Sequence, residues 1–363
     1  MSAATAMPVA QASTYVTAGW RRRLIAIALM LGIAAFFWID SRYPALLKKY
    51  HSGAHVKVAG AITFDALFAV DHSMPLTQRV WRTSLNWLNA NRVGMTFGFF
   101  FGAAALTFLS TLRVRRTRSP FLNALIGLGA GTPLGVCANC VAPIGRGFYA
   151  SGMSTESVLA TMLSSPSLNV VVLAMTFALF PLPIAALKLA TTLLLILVFA
   201  PVVGARYAGA EPSIACPVEL TVAETWPQAL WSAGKSYAQN FWYIARVGLP
   251  LMILAALLGA LAIELVPQQA LTKPASFLGI VAVSLIGAFL PVPMAFDVVI
   301  AYIALTHGVP IPYVAVILCT LGIYSVYSFS MIGKTISWKL ASYTYAAVAT
   351  MGLAAGTLFW VLR

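Results

Sequence analysis

The chain has 363 residues, of which 60% are hydrophobic and only 9% charged, and its mean hydropathy is +0.88. This composition excludes a soluble globular domain, and apolar runs long enough to cross a bilayer recur along the chain, so we expect an all-α polytopic membrane protein with about 8–10 helical segments in two repeats. The net charge of +14 does not indicate nucleic-acid binding, because the cations lie in short clusters between apolar runs, as positive-inside topology requires.

The N-terminus precedes the first apolar run. Residues 1–20 are small and polar, and we expect them to be disordered. Arg21, Arg22 and Arg23 precede an apolar run with no cleavage site after it. We therefore predict an uncleaved first span with a cytoplasmic N-terminus, in a multi-pass protein of the bacterial cytoplasmic (inner) membrane.

The first transmembrane half covers residues 21–205 and is interrupted twice. After a long connection with an interfacial helix over 79–91, a span covers 94–112. The apolar arms 121–136 and 141–151 are each too short to cross, so together they form a broken spanning helix or a re-entrant hairpin. A span over 155–180 is interrupted near Pro166, and in the next span Lys188 is expected to snorkel toward the surface.

A central polar connection over 206–240 leads to the second transmembrane half, 241–363. Its apolar arms, 274–292 and 295–306, flank a proline-containing break, and spans follow over 310–332 and 340–362. The chain thus contains interrupted apolar segments in both halves.

The two halves match as repeats. The shift that places Gly131 on Gly287 also places Cys137 on Pro293, Gly152 on Gly308 and Asn169 on Ser325. Hairpins in both halves would give an inverted repeat, whereas crossing segments would give a parallel one. Interrupted segments at matching places indicate the binding site of a transporter, so we expect the two breaks to meet in space.

The first break contains Cys137-Ala-Asn-Cys140. Two thiols at this spacing share a helix face and are ligands for soft ions such as Cu(I), Zn(II) or trivalent arsenic, which makes both cysteines candidate metal and substrate ligands. The alternative is that they are small packing residues. The remaining candidate substrate-binding residues are oxygen donors, which could equally bond helix to helix, and one soft thioether: Asn139, Ser164, Ser165, Asn169 and Met294.

Asp297 is the acidic residue of the second break. Acids inside a membrane pair with a cation or carry protons, so Asp297 is a candidate coupling residue. Arg146 is its candidate partner and the second candidate for coupling.

Residues 131–169 resemble the signature of the predicted-permease family that includes the bacterial organoarsenical efflux permeases. The matching positions are a Gly-x-Pro-Leu, a cysteine turn, a proline, a glycine turn and a Leu-x-Ser-Pro-x-x-Asn segment, here Gly131, Pro133, Leu134, Cys137, Cys140, Pro143, Gly152, Leu163, Ser165, Pro166 and Asn169. The cysteine spacing differs from the family's, and Pro293 and Asp297 stand where a second cysteine turn is expected.

The residues and the resemblance together favour a membrane permease, either a secondary transporter or an exporter, for a small thiophilic solute such as a metalloid, an organoarsenical or a soft metal ion. The alternative is a membrane thiol–disulfide oxidoreductase that uses the Cys137/Cys140 dithiol. We expect no enzymatic activity, no cofactor and no nucleic-acid partner; the expected partners are the solute, the lipid bilayer and a proton as candidate coupling ion.

Overall fold

The computed structural model describes most of the chain. Residues 1–18 of the predicted disordered terminus, 112–116 of the arginine-rich segment after the second span and 208–223 of the central connection lie outside the described residues. The described residues are 19–44, 47, 67–71, 73–111, 117–207, 224–265 and 274–362. Within these ranges the chain is helical with no strand, and five helices are long and apolar enough to cross a membrane, or six if one bent pair counts as a span. The predicted all-α polytopic membrane fold is confirmed.

Two helices precede the first break. Helix α1 covers Trp20–Phe37 and α2 covers Leu76–Leu109. The prediction of a separate interfacial helix over 79–91 is wrong, because those residues form the first turns of α2. No glycine or proline interrupts the chain between Leu76 and Val93, so the helix continues into the span. Its 34 residues reach about 50 Å, well beyond a hydrocarbon core of about 30 Å.

The first half continues with five helices. They are α3 Pro120–Gly131, α4 Ala138–Ala150, α5 Thr155–Ser167, α6 Val170–Leu179 and α7 Leu182–Tyr207. The bend between α5 and α6 is 47°. Both α4 and α5 are buried along their whole length, so the first break lies inside the protein.

Helices α3 and α4 form a hairpin, named here the first hairpin. The Ser157 hydroxyl donates to the Asn123 carbonyl (2.7 Å), and the Thr161 hydroxyl donates to the Gly127 carbonyl (3.0 Å), so α3 and α5 run parallel. Because α4 lies between them in the chain and packs against both α2 and α5, it must run back. Both ends of the first hairpin therefore lie at the same end of the helix bundle.

The second half repeats this order of helices. They are α8 Trp226–Leu265, α9 Phe277–Gly287, α10 Phe296–Thr306, α11 Ile311–Thr320, α12 Val326–Thr335 and α13 Trp338–Val361. Residues 226–240, which the sequence assigned to the polar connection, are the first turns of α8. The polar side chains there lie on a helix that continues into a span, as in α2.

Helices α9 and α10 form the second hairpin. The Tyr313 hydroxyl accepts from the Ser276 N–H (3.2 Å) at the start of α9, and a Cβ at Gly287 would collide with the Thr320 side chain at its end. Helix α9 is therefore parallel to α11, and α10 returns between them. Of the two alternatives for each break, the hairpin is the one found in both halves.

The two halves are inverted relative to each other. Helix α2 opens the first repeat and α8 opens the second, and they pack antiparallel: Ser84 bonds to the Ala256 carbonyl (3.3 Å), and Asn240 bonds to Thr107 (2.9 Å). The shift seen in the sequence holds in the structure, since Gly152 and Gly308 both have positive φ (92° and 75°) in equivalent turns. The hairpins therefore enter the bundle from opposite ends.

Candidate functional site

The tip of the first hairpin carries both cysteines. Gly135 adopts a left-handed conformation (φ 58°) that turns the chain, and Cys137 caps α4 by accepting a hydrogen bond from the Cys140 N–H (3.3 Å). The Cys137 thiol lies 3.7 Å from the Asn91 Oδ1 of α2. Both cysteines are only 2% exposed. Both cysteines are thus buried in the first turn of α4. The positive potential at a helix N-terminus favours an anionic ligand atom such as a thiolate.

A stripe of small residues on α2 lets this tip approach closely. Gly94, Gly98 and Gly102 recur every four residues, and Cβ atoms there would meet the Cys140 sulfur, the Cys140 carbonyl and the backbone of Ile144. Small residues at this spacing permit close helix packing within membranes. The spacing of these glycines is a signal in the sequence that could have predicted the close contact between α2 and α4.

The oxygen donors predicted to bind solute largely bond to the backbone around the break. The Ser165 hydroxyl bonds both the N–H and the carbonyl of Val136 (3.3 Å each), and Ser164 bonds Thr161 within its own helix (3.4 Å). Asn169 caps α6 by accepting from the Val172 N–H (3.0 Å) and donates back to the Ser165 carbonyl (2.8 Å). In this conformation these side chains fix the shape of the break.

Asn139 connects the two repeats. It is fully buried, donates to the Val292 carbonyl in the tip of the second hairpin (3.2 Å), and accepts from the Ser325 hydroxyl at the start of α12 (2.8 Å). Ser328 adds a bond to the Ala138 carbonyl (2.8 Å). The prediction that the two breaks meet in space is confirmed by these contacts.

The tip of the second hairpin is formed by residues 288–295. Trp87 of α2 donates to the Pro291 carbonyl (2.6 Å), and Ala295 adopts a left-handed conformation (φ 62°) just before α10. Met294 is partly buried and packs against apolar residues of both repeats. The Met294 thioether is thus close to the point where the two tips meet. The contact of Trp87 with this tip was not predicted from the sequence.

Two helix N-termini meet at the hairpin tips. Helices α4 and α12 begin next to each other through the bonds of Asn139 and Ser328. Each helix N-terminus carries a partial positive charge. Interrupted helices arranged in this way are typical of substrate sites in transporters with inverted repeats.

Asp297 forms an ion pair with Lys188. The carboxylate lies in the first turn of α10, the ammonium comes from α7, and both residues are buried (4% and 1% exposed). The prediction that Lys188 snorkels is wrong: its position on α7 faces the interior, where Asp297 offers the compensation that a buried ammonium needs. The rule that intramembrane charges pair could have found Lys188, but the two residues are 109 positions apart.

Arg146 is not the partner of Asp297. Its guanidinium donates to the Thr335 hydroxyl (3.2 Å) and lies over the Tyr243 ring, 4.2 Å from the ring centroid. The residue lies two turns along α4 from the cysteines, on the way out of the hairpin, where α8 and α12 pack against it. The prediction of an Arg146–Asp297 pair is therefore wrong.

Within the described residues, no cluster of three or more His, Cys, Asp and Glu side chains is suited to holding a metal ion. Cys137 and Cys140 are thus two soft donors rather than a complete four-ligand site.

One known relative resembles the chain over most of its length. The chain is 26% identical over 300 residues to the UPF0718 protein YraQ of Escherichia coli (strain K12), and the match covers 80% of each chain. No family model matches the chain, and no solved structure matches it. Because 300 residues exceed the length of either repeat, the match extends into both of them.

Proposed function

We propose that the protein is a membrane permease, a secondary transporter that moves a small thiophilic solute through the point where its two hairpins meet. The observation that supports this proposal most strongly is the Asn139–Val292 hydrogen bond, which joins the tips of two hairpins that enter from opposite ends. A site between inverted repeats can be opened alternately to either side by moving one repeat against the other.

The chemistry of the first tip indicates the class of solute. Cys137 and Cys140 offer two sulfur ligands at a helix N-terminus, and Met294 offers a third soft atom on the opposite tip. Soft donors select thiophilic species such as a trivalent metalloid, an organoarsenical or a soft metal ion. Asn139 is the polar group best placed to contact the solute, whereas Ser164, Ser165 and Asn169 hold the break in shape.

Asp297 is the proposed coupling residue. A carboxylate buried in the second hairpin must be paired or protonated, and the exchange between these states can be linked to movement of the hairpin. Arg146 supports the first hairpin through Thr335 and Tyr243. Its proposed contribution is to position α4, rather than to neutralise Asp297.

We place the protein in the bacterial inner membrane with its N-terminus in the cytoplasm. Arg21, Arg22 and Arg23 open α1, and Arg22 donates to Ser236 (2.6 Å) near the start of α8, so both helices begin at the same end. The excess of cations at this end supports the cytoplasmic assignment. With that orientation the first hairpin enters from the cytoplasm.

Flux through membrane vesicles tests this function. Arsenite, a trivalent phenylarsenical, Cu(I) and Zn(II) are each offered to vesicles containing the protein, with and without a proton gradient. We expect at least one to be moved by the protein, and the flux to fall at least tenfold in Cys137→Ser/Cys140→Ser. If none is moved, or if flux persists in the double variant, thiophilic transport through this site is refuted.

A further inference from the structure

The ion pair between Lys188 and Asp297 joins two helices that belong to different repeats. Lys188 projects from α7 of the first repeat, and Asp297 lies on the second hairpin, two residues after its tip. Gly322, in the break between α11 and α12, has a positive φ (78°), and a Cβ built there would lie 3.4 Å from the Asp297 side chain. Asp297 thus contacts the second break of its own repeat, and its carboxylate is paired with Lys188 of the other repeat.

The fold itself does not require this pair. The repeat shift places Lys188 on Thr344 and Val141 on Asp297, so the equivalent location in the other half holds no charge. Thr344 is fully buried, and its hydroxyl donates to the Leu340 carbonyl of its own helix (2.9 Å). Because the same helices are built without an ion pair once, its presence in the other half indicates a role beyond assembly.

A second buried polar group lies one helix turn along α7 from Lys188. Thr192 is fully buried, and its hydroxyl has no hydrogen-bond partner among the described residues. Residues four apart on a helix lie on the same face, so Thr192 is on the side of α7 that carries Lys188. If the carboxylate were neutralised, the ammonium would have a nearby oxygen to bond.

The surroundings of the pair contain few other titratable groups. Cys319 of α11 is connected to the site through Thr191, whose hydroxyl lies 3.7 Å from its sulfur and bonds to the Lys188 carbonyl (3.0 Å). Tyr313 of α11 bonds at the far end of that helix, and His307 is exposed at the end of α10. Helix α6, which packs against α10, carries no charged side chain.

We propose that the Lys188–Asp297 ion pair locks the second hairpin to the first repeat, and that one proton arriving on Asp297 opens the lock by releasing the ammonium to Thr192. The proton adds to a carboxylate oxygen, the ionic contact is lost, and the hairpin becomes free to move relative to α7. Loss of the proton restores the pair. The proposal rests on the proposed transport function and gives its coupling step a second residue, Lys188.

Hydrogen exchange of the full chain in lipid nanodiscs tests the lock without any solute. Each exchange rate is divided by the intrinsic rate at the same pH to give a protection factor, because unprotected amides themselves exchange more slowly at lower pH. As the pH is lowered from 8, we expect the protection factors over 288–297 to fall at least tenfold, while those of the first hairpin change little. Asp297→Asn should show low protection over 288–297 at every pH. Lys339→Met, the same substitution at an exposed lysine, should behave as the unchanged protein. The lock is overturned if the protection factors at the tip do not respond to pH, or if Asp297→Asn is as strongly protected as the unchanged protein.

Accumulation of a trivalent phenylarsenical in proteoliposomes with a proton gradient separates a lock from a structural pair. Lys188→Met should lose at least tenfold of gradient-driven accumulation, and Lys188→Arg should keep more than half. Removing both charges relieves the cost of a lone buried charge. A purely structural pair therefore predicts that Lys188→Met/Asp297→Asn regains accumulation, whereas the lock predicts that the double variant folds but stays uncoupled.

The two proposals fail in different ways. If the phenylarsenical and the other thiophilic solutes are not transported, the proposed function fails, and the hydrogen-exchange response still decides the lock. If the unchanged protein accumulates the phenylarsenical and Lys188→Met does so equally well, the lock is wrong and the permease stands.

Discussion

At the scale of single residues, Asn139 is the side chain of the Cys-Ala-Asn-Cys turn that bonds to two segments of the opposite repeat. It has no exposed surface, and its amide bonds a carbonyl of one segment and a hydroxyl of another, both in the opposite repeat. Buried polar groups are costly when they lose their partners. Asn139 is therefore one of the side chains on which the contact between the two hairpin tips depends.

Asn139→Ala should lower the free energy of unfolding by about 1–3 kcal/mol, because the buried Val292 carbonyl would lose its side-chain donor and the Ser325 hydroxyl would lose one of its hydrogen-bond partners. Unfolding in mixed micelles measures this. The matched control is Asn86→Ala, which removes two bonds to the Phe68 backbone, 2.8 and 3.0 Å long, outside the hairpins. An equal loss in both variants would contradict the special role of Asn139.

Cys137 can be tested separately for its structural and chemical roles. Serine is a good N-cap, so Cys137→Ser should keep the bond from the Cys140 N–H and change the unfolding free energy by less than about 1 kcal/mol. It removes the soft ligand, and we expect affinity for a trivalent phenylarsenical, measured by calorimetry, to fall at least tenfold. Unchanged affinity would mean that the sulfur only caps the helix.

At the scale of elements, the first hairpin is positioned by the glycine stripe of α2. Gly98→Ala would push a methyl group into the Cys140 carbonyl, which is backbone and cannot rotate away. We expect a loss of about 1–3 kcal/mol in unfolding free energy from overpacking, together with a loss of solute binding.

The control for this substitution is Gly129→Ala. Gly129 lies within α3, and a Cβ there meets nothing within 4 Å. Alanine in a helix interior is favoured over glycine by about 1 kcal/mol, so this variant should be as stable as the unchanged protein or more so. If Gly98→Ala is equally well tolerated, the close contact between α2 and α4 is not required.

Elements that carry their own signals could be predicted from the sequence. Prolines and glycines mark both breaks, and equivalent glycines at 152 and 308 mark both turns, so the repeat can be identified from the residues alone. The pairing of Lys188 with Asp297 cannot be identified from the residues alone. Packing against α11, rather than local sequence, decides which face of α7 points into the protein. The same limit applies to Arg146, whose partners come from helices in the opposite repeat.

At the scale of the whole molecule, the inverted arrangement makes a prediction about sidedness. Cysteines introduced at exposed Arg118 and partly exposed Ser151 flank the first hairpin, and those introduced at exposed Pro274 and His307 flank the second. In a background lacking the native cysteines, an impermeant maleimide should label the first pair from one side of oriented vesicles and the second pair from the other. Labelling of Arg118→Cys and Ser151→Cys from opposite sides would show that α3 and α4 cross the membrane instead.

The central claim is that Cys137 and Cys140 lie at a solute site reached in turn from each side of the membrane. The most direct measurement is the rate at which impermeant maleimide labels them from either side in Cys216→Ser/Cys319→Ala, with and without a trivalent phenylarsenical. The structure buries both sulfurs, so we expect slow labelling from both sides, and protection by the solute. If maleimide applied to either side labels the cysteines only after denaturation, and the solute has no effect, the account is contradicted. Cys137 and Cys140 would then be packing residues.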